Sequence, residues 1–217
     1  MKVITLTNCK YQLLCLKSVR SFQRFNDLPV EIYFIGSEIE NTLLREYDCR
    51  YVGTTATDLP DVYKWSRTVL KEKLKLFLRT TGDFLFFEND VFFYKQIDFE
   101  IFQDGVSGVR EYYDWKPRDI LNAGFLFFKN TKADFTEADI DRYIDSHDSF
   151  PDEYFISEYY KKINYISNEV CFLNNSSPFV PDPACVHFYG VNKPFVKDVP
   201  YNGIQGIHVQ RVLGMGL

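Results

Sequence analysis

A chain of 217 residues with 46% hydrophobic and 18% aromatic side chains is long enough to bury a substantial core as one domain and too apolar to be disordered. Its formal charge of −5 offers no basic face for a nucleic-acid backbone, which excludes binding through phosphate contacts but allows a small anion held by a metal. The five cysteines, at positions 9, 15, 49, 171 and 185, are odd in number and form no CxxC pair, so neither a disulfide framework nor a structural zinc site is expected.

Reduced thiols fit a cytoplasmic protein. The N-terminus lacks a signal-peptide core, and no apolar run approaches membrane-spanning length, so a soluble chain with no membrane span is expected.

In chain order, Lys2-Val3-Ile4-Thr5-Leu6-Thr7 reads as a strand. From Tyr11 to Phe22 the spacing turns helical, with Leu13, Leu14, Leu16 and Val19 able to form one face. Glu31 to Ile35 is a second strand closed by Gly36-Ser37, and strand, helix, strand is the opening of an α/β sheet. Leu43 to Val52 reads as a short helix and a strand ending at Gly53. Asp61 is placed to cap a long amphipathic helix through Arg79, with Val62, Trp65, Val69, Leu70, Leu74, Phe77 and Leu78 at helical spacing and Gly82 as its stop.

Phe84-Leu85-Phe86-Phe87 has no polar alternation, which predicts a strand covered on both faces, as at the centre of a parallel sheet. Val91 to Tyr94 continues as strand, Ile97 to Phe102 as a short helix, and Val106 to Arg110 as a further strand. Asp114-Trp115-Lys116-Pro117 reads as a loop before a strand from Ile120 to Phe128. Helices follow at Thr136 to Ser146 and Asp152 to Ile163, the second with Phe155, Ile156, Tyr159 and Tyr160 on its apolar side. A polar turn, Asn174 to Ser177, precedes the run Cys185 to Gly190, and Gly203 to Leu217 carries no clear pattern.

The chemistry-bearing stretches are few. Glu88-Asn89-Asp90 interrupts an apolar run, and two carboxylates so placed call for a neutralising cation, most simply a divalent metal. The triplet falls at the carboxyl end of a central strand, where open α/β sheets place their ligands. His187 and Lys193, in HFYGVNKPF, could add an imidazole ligand and a phosphate-neutralising ammonium, and Gly190 between them permits close approach of backbone to phosphate. Asn122-Ala123-Gly124 interrupts another apolar strand, and Asp152-Glu153 opens a helix, where acidic residues also serve as simple caps. Asp139, Asp141, Asp145 and Asp148 lack the spacing of a calcium loop and read as a solvated face. No phosphate-binding P-loop, nucleophile elbow or dinucleotide fingerprint is present.

Together, from Lys2 to about Lys197, these motifs resemble the GT-A glycosyltransferases, most of all the glycogenin and galactosyltransferase group of retaining enzymes (glycosyltransferase family 8). The chain is also similar to glycosyltransferase domains encoded by chloroviruses, which would make it a viral protein acting in host cytoplasm. The resemblance implies a Rossmann-like GT-A domain spanning 1–217, with a mostly parallel mixed sheet flanked by helices. Its nucleotide-binding part would be about 1–95 and its sugar and acceptor part about 96–200, with further domains allowed beyond.

By the same resemblance, Glu88-Asn89-Asp90 stands for the family's Asp-x-Asp, with Glu in the first place, and Asp90, His187 and Glu88 would hold Mn²⁺ (or Mg²⁺). Thr5, Leu6, Thr7 and Tyr11 would bind uridine, Tyr11 by stacking, while Lys73, Gly190 and Lys193 would serve the donor. Asn122, Ala123 and Gly124 would line the donor sugar, Gly124 leaving it room. Asp152 and Glu153 would act near the transferred sugar. The implied reaction is hexosyl transfer from a UDP-sugar, UDP-glucose-like or 6-deoxy, to a hydroxyl acceptor such as a glycan, with retention. An inverting enzyme with Asp152 or Glu153 as base, and a non-catalytic nucleotide-sugar or glycan-binding domain, are the alternatives.

Overall fold

The computed structural model describes residues 1–52, 62–113, 115–147, 151–174, 177–188 and 203–217. Its strands are β1 (Lys2–Asn8), β2 (Glu31–Ile35), β3 (Cys49–Val52), β4 (Phe84–Phe87), β5 (Val91–Phe93), β6 (Gly105–Tyr113), β7 (Lys116–Lys129), β8 (Ile163–Tyr165), β9 (Cys171–Leu173) and β10 (Cys185–His187). Helices are α1 (Gln12–Phe25), α2 (Val62–Arg79), α3 (Glu137–Ser146), α4 (Pro151–Tyr159) and α5 (Gly203–Leu213).

Seven strands form one sheet in the order β3-β2-β1-β4-β7-β6-β8, parallel from β3 to β4, with β7 antiparallel to both its neighbours and β8 parallel to β6. The long apolar strand is covered on both faces as expected. Leu85 and Phe87 of β4 pack with Val19 and Phe22 of α1, while Phe84 and Phe86 pack with Leu74 and Phe77 of α2 and with Ile140 and Phe155 of α3 and α4. Gly82, at φ +78, turns the chain between α2 and β4, a conformation that suits glycine.

A second, three-stranded sheet, β5-β10-β9, stands at the carboxyl end of β4. It is anchored to α1 by two serines: Ser18 Oγ donates to the Val91 carbonyl at 2.5 Å, and Ser21 Oγ accepts from the Phe93 amide at 3.0 Å. Helix α5 closes its far side, burying Val209 and Val212 against Phe172, Val186 and Phe188.

Several expectations are corrected. Leu13 is exposed, and the buried face of α1 is Leu14, Cys15, Leu16, Val19 and Phe22. No helix forms between Leu43 and Tyr47; there Gln12 Oε1 accepts from the amides of Thr42 and Leu43, and Asn41 Oδ1 from that of Leu44. Lys116 and Pro117 lie in β7, since β6 and β7 continue as a ribbon to a tip at Trp115, whose φ is +63. Helix α4 ends at Tyr159, and Ile163 instead pairs with Val106 at the sheet edge. The patternless tail is α5.

The acidic residues of α3 face solvent as expected and also make surface ion pairs, Asp141 with Lys75 and Asp145 with Lys71 of α2, each at 2.8 Å, while Asp139 caps its own helix through Thr136. Gly53, Asp61 and Asp148 lie outside the described residues. All five cysteines are free, and among the described residues no helix is long and apolar enough to cross a membrane.

Candidate active site

Strand β4 delivers Glu88 to the rim of the sheet, where its amide still bonds the Gly124 carbonyl of β7 at 2.8 Å. A tight turn follows, with the Val91 amide on the Glu88 carbonyl at 3.1 Å, and this turns the Asp90 side chain inward to 1% exposure. Strand β10 runs antiparallel to β5 and pairs His187 with Val91, next to that aspartate. The His187 Nε2 therefore lies 3.2 Å from Asp90 Oδ1 and 3.3 Å from Glu88 Oε2.

Asn122 fixes the other ring nitrogen. Its Oδ1 accepts from the Gly124 amide at 3.0 Å and lies 2.8 Å from His187 Nδ1. The amide N–H can only donate, so that atom is the oxygen, and Nδ1 must carry the proton it offers. Nε2 is then left facing two carboxylates, which requires a proton or a metal ion there. Burial by itself would lower the His187 pKa, but the Asp90 and Glu88 carboxylates outweigh it and raise it to about 10. Glu88 is disfavoured as an anion by burial, yet Lys73 and His187 hold it below the usual carboxylate range.

Lys73, only 2% exposed, falls in the apolar stripe of α2 beside Leu70, Leu74 and Phe77. Its Nζ donates to Glu88 Oε1 at 2.6 Å and to Asp152 Oδ2 at 2.8 Å, and these anions keep it charged against the cost of burial. It is therefore no solvated lysine. Glu153, the next residue of α4, is pushed well above the carboxylate range by burial and then by Asp152 and Glu111. Its Oε1 lies 3.4 Å from Asn122 Nδ2, and its Oε2 has no hydrogen-bond partner among the described residues.

Glu111 was not singled out from the sequence. It is 1% exposed, accepts from Asn122 Nδ2 at 2.5 Å through Oε2 and from the Tyr112 amide at 2.8 Å through Oε1. A lone acid in VSGVREYY was the available signal, the same one that marked Glu88.

The Asn-Ala-Gly segment is a bulge. Leu126 pairs with Gly108 and Leu121 with Arg110, so Asn122 to Phe125 stand opposite Val109 alone, and the surplus turns Asn122 toward the acids. Ala123 joins the core on the α2 side. The space above Gly124 is taken by the His187 imidazole, not left for a sugar: a Cβ there would run into Cε1 and Nδ1 of the ring.

Beside the acids, a cleft of about 170 Å³ opens between the end of β1 and α2, lined by Leu6, Thr7, Tyr11, Val69, Lys73 and the Glu88-Asn89-Asp90 turn. Thr5 lies outside it, fully buried, its Oγ1 without a hydrogen-bond partner among the described residues. Gly190 and Lys193 lie outside the described residues. A larger hollow of about 530 Å³ around Gly105, Asn130 and Lys161 lies at the opposite end of the sheet, where Asp104 meets Asn130 and Asp134 meets Lys161.

Solved structures share this fold. A galactosyltransferase, LgtC, in complex with donor and acceptor sugar analogs, aligns over 99% of this chain and 94% of its own with a TM-score of 0.66 at 12% identity. The fold is GT-A. The glycosyltransferase GlyE of Streptococcus pneumoniae TIGR4 aligns over 98% of this chain and 60% of its own, TM-score 0.66 at 13% identity. Mouse xyloside xylosyltransferase 1 aligns over 90% and 99%, TM-score 0.57 at 9% identity. No protein-family model matches the sequence, and no curated protein matches it. At such low identity the likeness is one of GT-A fold, and the chemistry must come from the side chains.

Proposed function

We propose that the chain is a metal-dependent glycosyltransferase that moves a hexose from a UDP-sugar to a hydroxyl of a glycan acceptor with retention of configuration. The observation that carries this is the convergence of Glu88, Asp90 and His187, whose ligand atoms lie within 4.8 Å of one another. The donor set fits a divalent cation: two carboxylates supply hard oxygens, and the ring presents Nε2 because Nδ1 is engaged by Asn122. Mn²⁺ suits the mixed oxygen and nitrogen set, with Mg²⁺ as the harder alternative. When bound, such an ion neutralises charge that develops on the departing diphosphate.

The chain's own groups do the rest. The cleft beside Thr7, Tyr11 and Val69 takes the nucleoside, with Tyr11 in its lining. Asp152, ion-paired with Lys73, can accept from sugar hydroxyls, and Glu153, which burial shifts toward its protonated form, can donate to them. In the transfer the anomeric C–O bond breaks with its electron pair going to the UDP oxygen. A new C–O bond forms to the acceptor, whose proton passes to that same oxygen. Of the two α4 carboxyls, Asp152 is engaged by the Lys73 ammonium and Glu153 is pushed above the carboxylate range by burial, and on this ground the reading takes retention over the inverting alternative. On the acceptor side, the β6–β7 tip presents Tyr113 and Trp115, more than half exposed, as rings for sugar faces.

Calorimetric titration of UDP with and without Mn²⁺, followed by assay of sugar release from UDP-glucose, UDP-galactose and UDP-rhamnose, tests the reading. Metal-dependent binding with turnover, both lost in Asp90→Asn, is the expected result. Binding that ignores metal overturns the metal site, and binding without turnover identifies a nucleotide-sugar binding module.

A further inference from the structure

We infer that Asn122, held in place by Glu111, is a positioning residue that selects which nitrogen of His187 faces the cation site. The inference rests on the metal reading above, but the observations are its own. Every polar atom of the Asn122 amide is engaged on one side of the molecule: Oδ1 by the Gly124 amide and His187 Nδ1, Nδ2 by Glu111 and, at longer range, Glu153. Turning the amide over would set NH₂ against the Gly124 N–H and oxygen against two carboxyl groups. Its orientation is therefore determined by the Gly124 N–H, which can only donate, and with it the proton on His187 Nδ1.

Packing also holds the ring. Gly124, without a Cβ, leaves a slot that the imidazole fills, so the ring is packed as well as bonded. Glu111 is the far anchor of this relay, itself pinned by the Tyr112 amide. Asn122 and Glu111 belong to β7 and β6, while His187 belongs to the second sheet, so the relay also fixes that sheet's ligand relative to the main one. The outer partner of a ligating histidine sets its tautomer and basicity, and its loss typically lowers metal affinity by about 10–100-fold.

The test combines affinity with a spectroscopic signature. The chain contains three histidines, so long-range ¹⁵N–¹H spectra of labelled protein resolve His187. In the metal-free wild type, Nδ1 is expected to be protonated with a slowly exchanging hydrogen, and on adding Mg²⁺ and UDP the Nε2 resonance should shift most while Nδ1 keeps its proton. Asn122→Ala should lose the slow exchange and weaken Mn²⁺ binding, measured by titration, about 10–100-fold. Glu111→Gln keeps one acceptor oxygen of two and should fall between; it carries the test if the alanine variant does not fold. Wild-type Mn²⁺ affinity and an unchanged His187 spectrum in Asn122→Ala overturn the proposal, as does a wild-type ring protonated on Nε2 alone. A wild type that binds no cation defeats the metal reading, and the metal-free spectra still decide the relay.

Discussion

Gly124 shows how much a single position can carry. Sequence spacing marks it within an Asn-Ala-Gly segment, and the expectation was open space for a sugar; the structure puts the ring of His187 there. Gly124→Ala must push the imidazole out of line with Asp90 or deform β7. We expect a loss of stability of about 1–3 kcal/mol from overpacking, read by urea unfolding, together with loss of Mn²⁺-dependent UDP binding by calorimetry. Unchanged metal-dependent binding would show that the ring is not confined as described. Asp90, Glu88 and Asn122 were legible because polar residues inside apolar runs are costly and so conspicuous. Glu111 carried the same signal in a strand with more polar neighbours, and was passed over.

Between elements, Lys73 joins three. Helix α2 places its ammonium between the end of β4, through Glu88, and the start of α4, through Asp152. Lys73→Met keeps the stem packed in the apolar stripe but leaves Asp152 buried beside Glu153 and Glu111 without a cation. Breaking a buried pair in this way costs about 3–5 kcal/mol. Thermal and urea unfolding should register that loss, and adding Asp152→Asn should recover part of it; a variant as stable as wild type would mean that water already solvates the pair. The helix itself was readable from its 3.6-residue periodicity, whereas the burial of its lysine was not, because the partners lie in distant segments.

For the molecule as a whole, the site couples stability to pH. His187 has a folded-state pKa of about 10 against an ordinary value of 6.5, so the metal-free folded chain binds a proton that the unfolded chain releases. That contribution is fully present below about pH 6.5 and is lost as pH rises through about 10. Glu88, held below its ordinary range, acts in the opposite direction: its contribution is present above the usual carboxylate pKa and is lost in acid. Metal-free protein should therefore be more stable to urea at about pH 6 than at about pH 9. His187→Gln should shrink that difference, and Mn²⁺ with UDP should do likewise by taking the place of the proton. An equal alkaline loss in wild type and His187→Gln would assign the effect to other groups.

By itself, the order of apolar runs and breaks determined the α/β class, the two-sided burial of β4 and the placing of Glu88 and Asp90 at its carboxyl end, because these depend on local periodicity and on the cost of burying charge. Tertiary structure alone decided that β10 returns antiparallel to β5 and so brings His187 to Asp90, that a bulge turns Asn122 toward the imidazole, and that the closing tail becomes α5. Those outcomes depend on pairings between segments far apart in the chain, where no local pattern records which edge meets which.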